Sequence, residues 1–119
     1  DNVILFRLAE MYLIRAEARV RQNTVAKIAE GLADLNVIRV RAGLTPLVSV
    51  DQAEILTDIL AQRRIELAHE GHRWFDLVRW GDAPTVLGSR GFVAGKHEIL
   101  PIPNQELEST LIEQNPNYN

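Results

Sequence analysis

The sequence contains no cysteine. That excludes a disulfide framework, Cys-containing zinc or iron–sulfur sites, a thiol nucleophile and a lipidated cysteine within these residues. Long apolar runs are also missing. None approaches the roughly 18 residues that a membrane-spanning helix needs, and no basic, then apolar, then small-residue leader opens the chain. Positive charge is not in excess: 13 Lys+Arg against 16 Asp+Glu leave a formal net charge of -3, and no helix face gathers a basic stripe. No nucleic-acid partner is therefore expected. A Gly-rich phosphate loop, a nucleophile elbow and an ordered Ser/His/Asp set are absent too, so no cofactor is expected.

What is present is 119 residues, 46% hydrophobic and 24% charged. That is enough for one globular domain burying about two-thirds of its unfolded surface. The expectation is a single soluble domain over residues 1–119. Asp1-Asn2 lead straight into an amphipathic pattern, which reads as a longer protein cut at a helix boundary.

Over residues 4–21, Leu5, Leu8, Ala9, Tyr12, Leu13, Ala16 and Val20 recur at helical steps. They draw one apolar stripe, with Arg7, Glu10, Arg15, Glu17 and Arg21 on the other side. Thr24 then caps a second helix whose stripe is Ile28, Leu32, Leu35, Ile38 and Ala42, and Gly43 suits a left-handed C-terminal cap. The pair makes an αα-hairpin. Leu5, Leu8, Ala9 and Tyr12 match the first-helix spacing of a tetratricopeptide repeat, although the second helix leaves that register. Asp51 and Glu54 form a capping box for a third helix running to Glu70, with Ile55, Leu56, Ile59, Leu60 and Leu67 inward. Gly71 interrupts it. Residues 72–80 add one or two helical turns that Gly81 stops. Beyond lies a stretch punctuated by Pro84, Gly88, Gly91 and Gly95, an extended segment over 96–102, a short helix from Asn104 to about Leu111, and an irregular tail. The fold class is all-α, helical hairpins with a loop-rich C-terminal segment.

The densest chemistry lies in residues 62–81. Arg63, Glu66 and Glu70 stand at i, i+3 and i+7, continuing the third helix's inward stripe where aliphatic side chains belong; Arg73, Asp76 and Arg79 repeat the theme. A buried ion without a partner costs several kcal/mol, so these charges must satisfy one another. They suit a structural ion network better than a catalytic carboxylate pair, because neighbouring guanidinium groups lower carboxylate pKa values and suppress general-acid behaviour. His69, Glu70 and His72 miss the zincin pattern, which places two histidines four apart on an unbroken helix. His97-Glu98 offers further ligands that no pattern requires, and no metal site is expected. Among the aromatics, Trp74 and Tyr12 read as core; Trp80, next to Gly81, and Tyr118 in the tail are candidates for stacking on a ligand.

The same segment resembles the C-terminal signature of SusD/RagB-like proteins, surface nutrient-binding lipoproteins of Bacteroidetes-type bacteria. The matching residues are Arg63, Arg64, Glu66, Leu67, Glu70, Gly71, Arg73, Asp76, Leu77, Arg79 and Trp80. Residues 7–18 are similar to the family's preceding helix, and Leu35-Asn36, Ile38-Arg39 and Arg41-Ala42-Gly43-Leu44 to its helix-end motif. Leu100-Pro101-Ile102-Pro103 with Glu106, and Gln114-Asn115-Pro116 with Tyr118, resemble its closing segments. Asn117 stands where the family usually has Gly, a mild departure if both serve a left-handed turn.

The resemblance implies tetratricopeptide-like helix pairs making up the C-terminal part of a larger lipoprotein at the extracellular face of the outer membrane. It implies capture of oligosaccharides or other nutrients without catalysis, handed to a SusC-like TonB-dependent transporter. The membrane would be touched only through the lipid anchor of the parent, and this segment would be mainly scaffold. Two other readings compete. One is a free-standing helical-repeat module for protein–protein interaction, and the other a carboxylate- or metal-dependent hydrolase.

Overall fold

The computed structural model describes residues 6–118. Its elements are α1 (Leu8–Arg21), α2 (Val25–Arg41), α3 (Gln52–Glu66), α4 (His72–Trp80), α5 (Ala83–Leu87) and α6 (Asn104–Ser109). Short 3-10 turns cover Gly88–Arg90 and Pro116–Tyr118. Among the described residues there is no strand, so the chain is all-α. Two compact units divide it, Asp1–Arg73 and Trp74–Asn119.

In the first unit, Ala9, Leu13, Ala16 and Val20 of α1 meet Leu35 and Ile38 of α2 and Ile55 and Ile59 of α3. Each of the larger buried aliphatic side chains contributes about 1.5–3 kcal/mol. The α1–α2 hairpin is close. A Cβ at Gly31 would sit 2.8 Å from the Ala16 carbonyl oxygen and 2.5 Å from Val20 Cγ2, so only glycine lets the two backbones approach this far.

Helix boundaries follow local chemistry. The Thr24 side chain accepts from the Lys27 N–H, and the Asp51 carboxylate from those of Ala53 and Glu54. Glu54 does not close the capping box directly. Its carboxylate accepts from the Ser49 hydroxyl, which in turn accepts the Asp51 N–H, so Ser49 relays the contact. Gly43, at φ 77°, ends α2 in a Schellman turn: the Leu44 N–H reaches the Arg39 carbonyl at 2.9 Å and the Gly43 N–H that of Val40 at 3.0 Å. At the far end of α1, the Val20 carbonyl accepts from Gln52 Nε2 at 2.8 Å, so the first residue of α3 satisfies an acceptor that α1 leaves open.

Several expectations are corrected. Helix α1 starts at Leu8, because Arg7 is extended (φ -123°, ψ 146°) with its side chain engaged elsewhere; Ile4 and Leu5 lie outside the described residues. Glu10 and Glu17, expected on the outer side, are buried. Leu8, expected in the stripe, is 73% exposed. Helix α3 stops at Glu66 and not at Glu70, with Leu67 as its C-cap and His69 at φ 64°. The chain has therefore left the helix before Glu70, which sits in the turn leading to α4.

The second unit holds Leu77 and Ala83 buried. Residues 96–98 form a turn and not the extended segment expected there. The Lys96 and His97 N–H groups both return to the Val93 carbonyl, at 3.2 and 3.1 Å. The tail is laced back by side chains. Gln114 exchanges two hydrogen bonds of 2.9 Å with the Ile102 backbone, and Asn115 Nδ2 donates to the Leu100 carbonyl at 2.6 Å. Asn117 is not in the left-handed region; its amide donates instead to the Gly95 carbonyl, a bond that glycine could not make.

Candidate functional site

Glu66 and Glu70 are brought together by Arg7. Arg7 Nη1 donates to Glu66 Oε1 at 2.9 Å, while its Nε and Nη2 hold the two Glu70 oxygens at 2.9 and 2.7 Å. Arg41, at the end of α2, donates to the other Glu66 oxygen. One carboxylate on the last residue of α3 thus ties the start of α1 and the end of α2. Burial pushes the Glu66 carboxyl upward, but hydrogen bonds from Arg41 and Arg7 outweigh it and hold the pKa below the ordinary carboxylate range. The Arg7 guanidinium is raised, chiefly by its hydrogen bond to Glu70 and next by that to Glu66. A carboxylate so held is a poor proton donor near neutrality.

The remaining signature charges lie nearby in sequence. Arg63 is buried, Arg73 is half-buried, and the Arg79 guanidinium reaches the buried Asp76 carboxylate one turn away on α4 at 3.1 Å. The i, i+3, i+7 stripe drawn for Arg63, Glu66 and Glu70 does not exist as such, because α3 ends between its second and third members. Glu70 instead joins Glu66 through Arg7.

A second cluster has no signal in the 62–81 segment. Asp34, 5% exposed on α2, accepts from Arg15 Nε and Nη2 at 2.9 and 2.6 Å and from Arg19 Nη1 at 2.6 Å. The hydrogen bond to Asp34 raises the Arg15 pKa. Arg39 does the corresponding work on the α2–α3 connector. Its Nη1 holds the Asp58 carboxylate at 2.7 and 2.8 Å, and its Nε and Nη2 reach the Thr45 carbonyl at 3.1 and 2.9 Å. Asn36 clamps the Leu47 backbone with paired bonds of 2.9 and 2.8 Å. Partners this far apart leave no local pattern; only the presence of charged and amide residues on an otherwise apolar face hints at them.

Each candidate stacking residue has a cation beside it. The Arg79 guanidinium lies 5.7 Å from the Trp80 ring centre. Lys96 Nζ lies 4.8 Å from that of Tyr118, whose hydroxyl donates to the Lys96 carbonyl at 3.1 Å. The Tyr118 ring is thereby half-buried and fastened to the turn it closes. Trp74 belongs to another group, with Phe92 at 5.9 Å between centroids and a tilt of 58°, and His97 5.6 Å beyond Phe92. These three rings, Leu87, Arg90 and Gly91 line a cleft of about 220 Å³. Among the described residues, no three His, Asp or Glu side chains converge as a metal site would require. His72 Nδ1 lies 3.5 Å from Glu10 Oε1, and His69 is exposed.

The sequence profile of the SusD family matches residues 1–91. The chain belongs to the SusD family. It is 36% identical over 98% of its length to SusD-like protein P38 of Formosa agariphila. Against the starch-binding protein SusD of Bacteroides thetaiotaomicron it is 41% identical over 67% of its length. A solved laminarin-binding SusD-like protein superimposes with a TM-score of 0.79, at 48% identity over 98% of this chain. This SusD-family chain spans only part of the length of its relatives, 25% for P38, 23% for the solved structure and 13% for SusD. The helical arrangement described above is thus that of the matching SusD-type segment. No helix of the described residues is long and apolar enough to cross a membrane.

Proposed function

We propose that this chain is the C-terminal helical portion of a SusD-like glycan-binding lipoprotein, and that its own contribution is mainly scaffold. The observation that carries this reading is the 48% identity, over 98% of the chain, to a laminarin-binding SusD-like protein. The starch-binding name of a second relative points to the same ligand class. The intact protein would sit on the extracellular face of the outer membrane, held by the lipid anchor of the parent. It would take up oligosaccharide and pass it to a SusC-like TonB-dependent transporter. Binding, not catalysis, is the activity proposed.

Within that protein, Arg63, Glu66, Glu70, Arg73, Asp76 and Arg79 act as structural ions. The geometry around Glu66 supports this, since its two guanidinium partners sit on α2 and at the head of α1 and leave the carboxylate no free oxygen. Trp80 and Tyr118 are the candidate stacking residues of the proposal, each with a cation beside its ring.

The test is carried out on the full-length parent. Affinity electrophoresis in laminarin and starch gels is expected to retard it, and a tagged parent is expected to bring down a TonB-dependent transporter from outer membranes. A parent that binds neither these nor any other glycan of a broad panel would sink the proposal. Hydrolysis of glycan by the purified parent, abolished by Glu66→Gln or Glu70→Gln without loss of fold, would replace it with the hydrolase reading.

A further inference from the structure

The cleft in the second unit is not used by the scaffold reading. It is lined by Trp74 on α4, Leu87 at the end of α5, and Arg90, Gly91, Phe92 and His97 from the segment beyond. At about 220 Å³ it is smaller than the roughly 300–1,000 Å³ that takes a drug-sized ligand, which suits one small ring. Trp74, Phe92 and His97 meet at tilts of 58° and 71°, so the rings form an angled wall and not a closed stack. Trp74 and Phe92 are both half-buried. Flat apolar faces of this kind take the C–H face of a pyranose.

The polar side chains with a charge or a ring nitrogen at the cleft are Arg90 and His97, beside the Trp74 indole. The Val93 N–H donates to His97 Nδ1 at 2.9 Å, which makes Nδ1 the acceptor and leaves the proton of the neutral imidazole on Nε2. Arg90 adds an exposed guanidinium, and no carboxylate is among the six lining residues. A neutral sugar has hydroxyls that both give and accept hydrogen bonds. A site with a cation and a donor but no acceptor side chain favours a ring that also carries negative charge, because a guanidinium fork matches a carboxylate in shape and sign.

We propose that this cleft seats one uronic acid residue of an acidic glycan, with its ring against Trp74 and Phe92 and its carboxylate toward Arg90. The proposal rests on the glycan-binding reading above and adds a place and a charge preference to it.

The test uses the 119-residue chain, labelled with ¹⁵N and titrated with oligogalacturonate and, separately, with a neutral glucose oligomer. Saturable shifts of the Trp74 indole and Gly91 amide signals are expected with oligogalacturonate, weakening as salt is raised. Arg90→Gln, at an exposed position outside the packed helices, is expected to keep the circular dichroism spectrum and weaken oligogalacturonate binding about tenfold, the scale of one charge-assisted hydrogen bond. Its effect on the neutral oligomer is expected to be small. Absence of saturable shifts at Trp74 and Gly91 overturns the proposal, as does an Arg90→Gln chain that binds oligogalacturonate undiminished. If the full-length parent binds glycans while Arg90→Gln and Phe92→Leu leave that binding untouched, the cleft is excluded and the glycan-binding reading stands. A parent that binds no glycan removes both.

Discussion

Glu66 accepts from guanidinium groups 59 residues before it and 25 residues before it, a separation that makes its partners illegible in the sequence. That the charges of residues 62–81 need partners follows from desolvation alone; which arginines supply them does not. The folded Glu66 pKa is lowered, so its contribution to stability is present above the ordinary carboxylate value of about 4.5 and is lost as pH falls below it, through the depressed folded value. Thermal melts of the wild-type chain should therefore weaken through that acid range. Glu66→Gln should lower the midpoint at pH 7 and show a shallower decline in acid. An unchanged acid profile in Glu66→Gln would mean that other carboxylates carry the effect. Asp34 is held by geometry, since three guanidinium N–H groups converge on it at low exposure. Asp34→Ala removes those hydrogen bonds while Arg15 and Arg19 stay open to solvent, so it is expected to cost about 1–2 kcal/mol in urea unfolding.

At the scale of elements, caps are local and can be read from the sequence. Thr24, Asp51 and Gly43 do what their positions in the pattern imply. Gly43 needs the left-handed conformation its φ of 77° shows, so Gly43→Ala should cost about 1 kcal/mol with little change in helix content. Gly31 is different. It sits inside a helix, where the sequence marks it only as a weak helix former, yet it is where α1 and α2 touch. Gly31→Ala improves local propensity but drives a methyl group into the Ala16 carbonyl, so a net loss of about 1–3 kcal/mol is expected by chemical denaturation. A stabilised Gly31→Ala chain would show that the hairpin can open at no cost. The end of α3 is hidden because nothing before Gly71 spells a stop. The left-handed His69 that follows it has no sequence signal, and is held in a turn whose Glu70 is engaged by Arg7.

For the molecule as a whole, the core cluster lies within residues 9–59, inside the first compact unit. A chain ending after Arg73 is therefore expected to retain cooperative thermal unfolding, monitored by circular dichroism at the helix band; a featureless, non-cooperative melt would contradict this. The first unit also presents an apolar face, with Phe6 76% and Leu8 73% exposed and a shallow cleft of about 160 Å³ between Leu8, Met11, Tyr12 and Arg15. Leu5, on the same sequence stripe, lies outside the described residues. The expected consequence is concentration-dependent association of the isolated chain, measurable by sedimentation velocity and reduced by Leu8→Lys.

Periodicity and caps were sufficient to determine an all-α chain, because helix stripes, N-caps and a left-handed glycine act over a few residues; its SusD type rested on the resemblance of its motifs. Tertiary structure decided that Glu10 and Glu17 are buried, that Leu8 is exposed, and that Arg7, Arg41 and Asp34 carry the ion pairs. The physical reason is that burial and charge pairing depend on which helix faces meet in space, and residues separated by tens of positions leave no periodic trace of that meeting. The Trp74, Phe92 and His97 cleft is of the same kind, since its rings come from α4 and from a loop beyond α5.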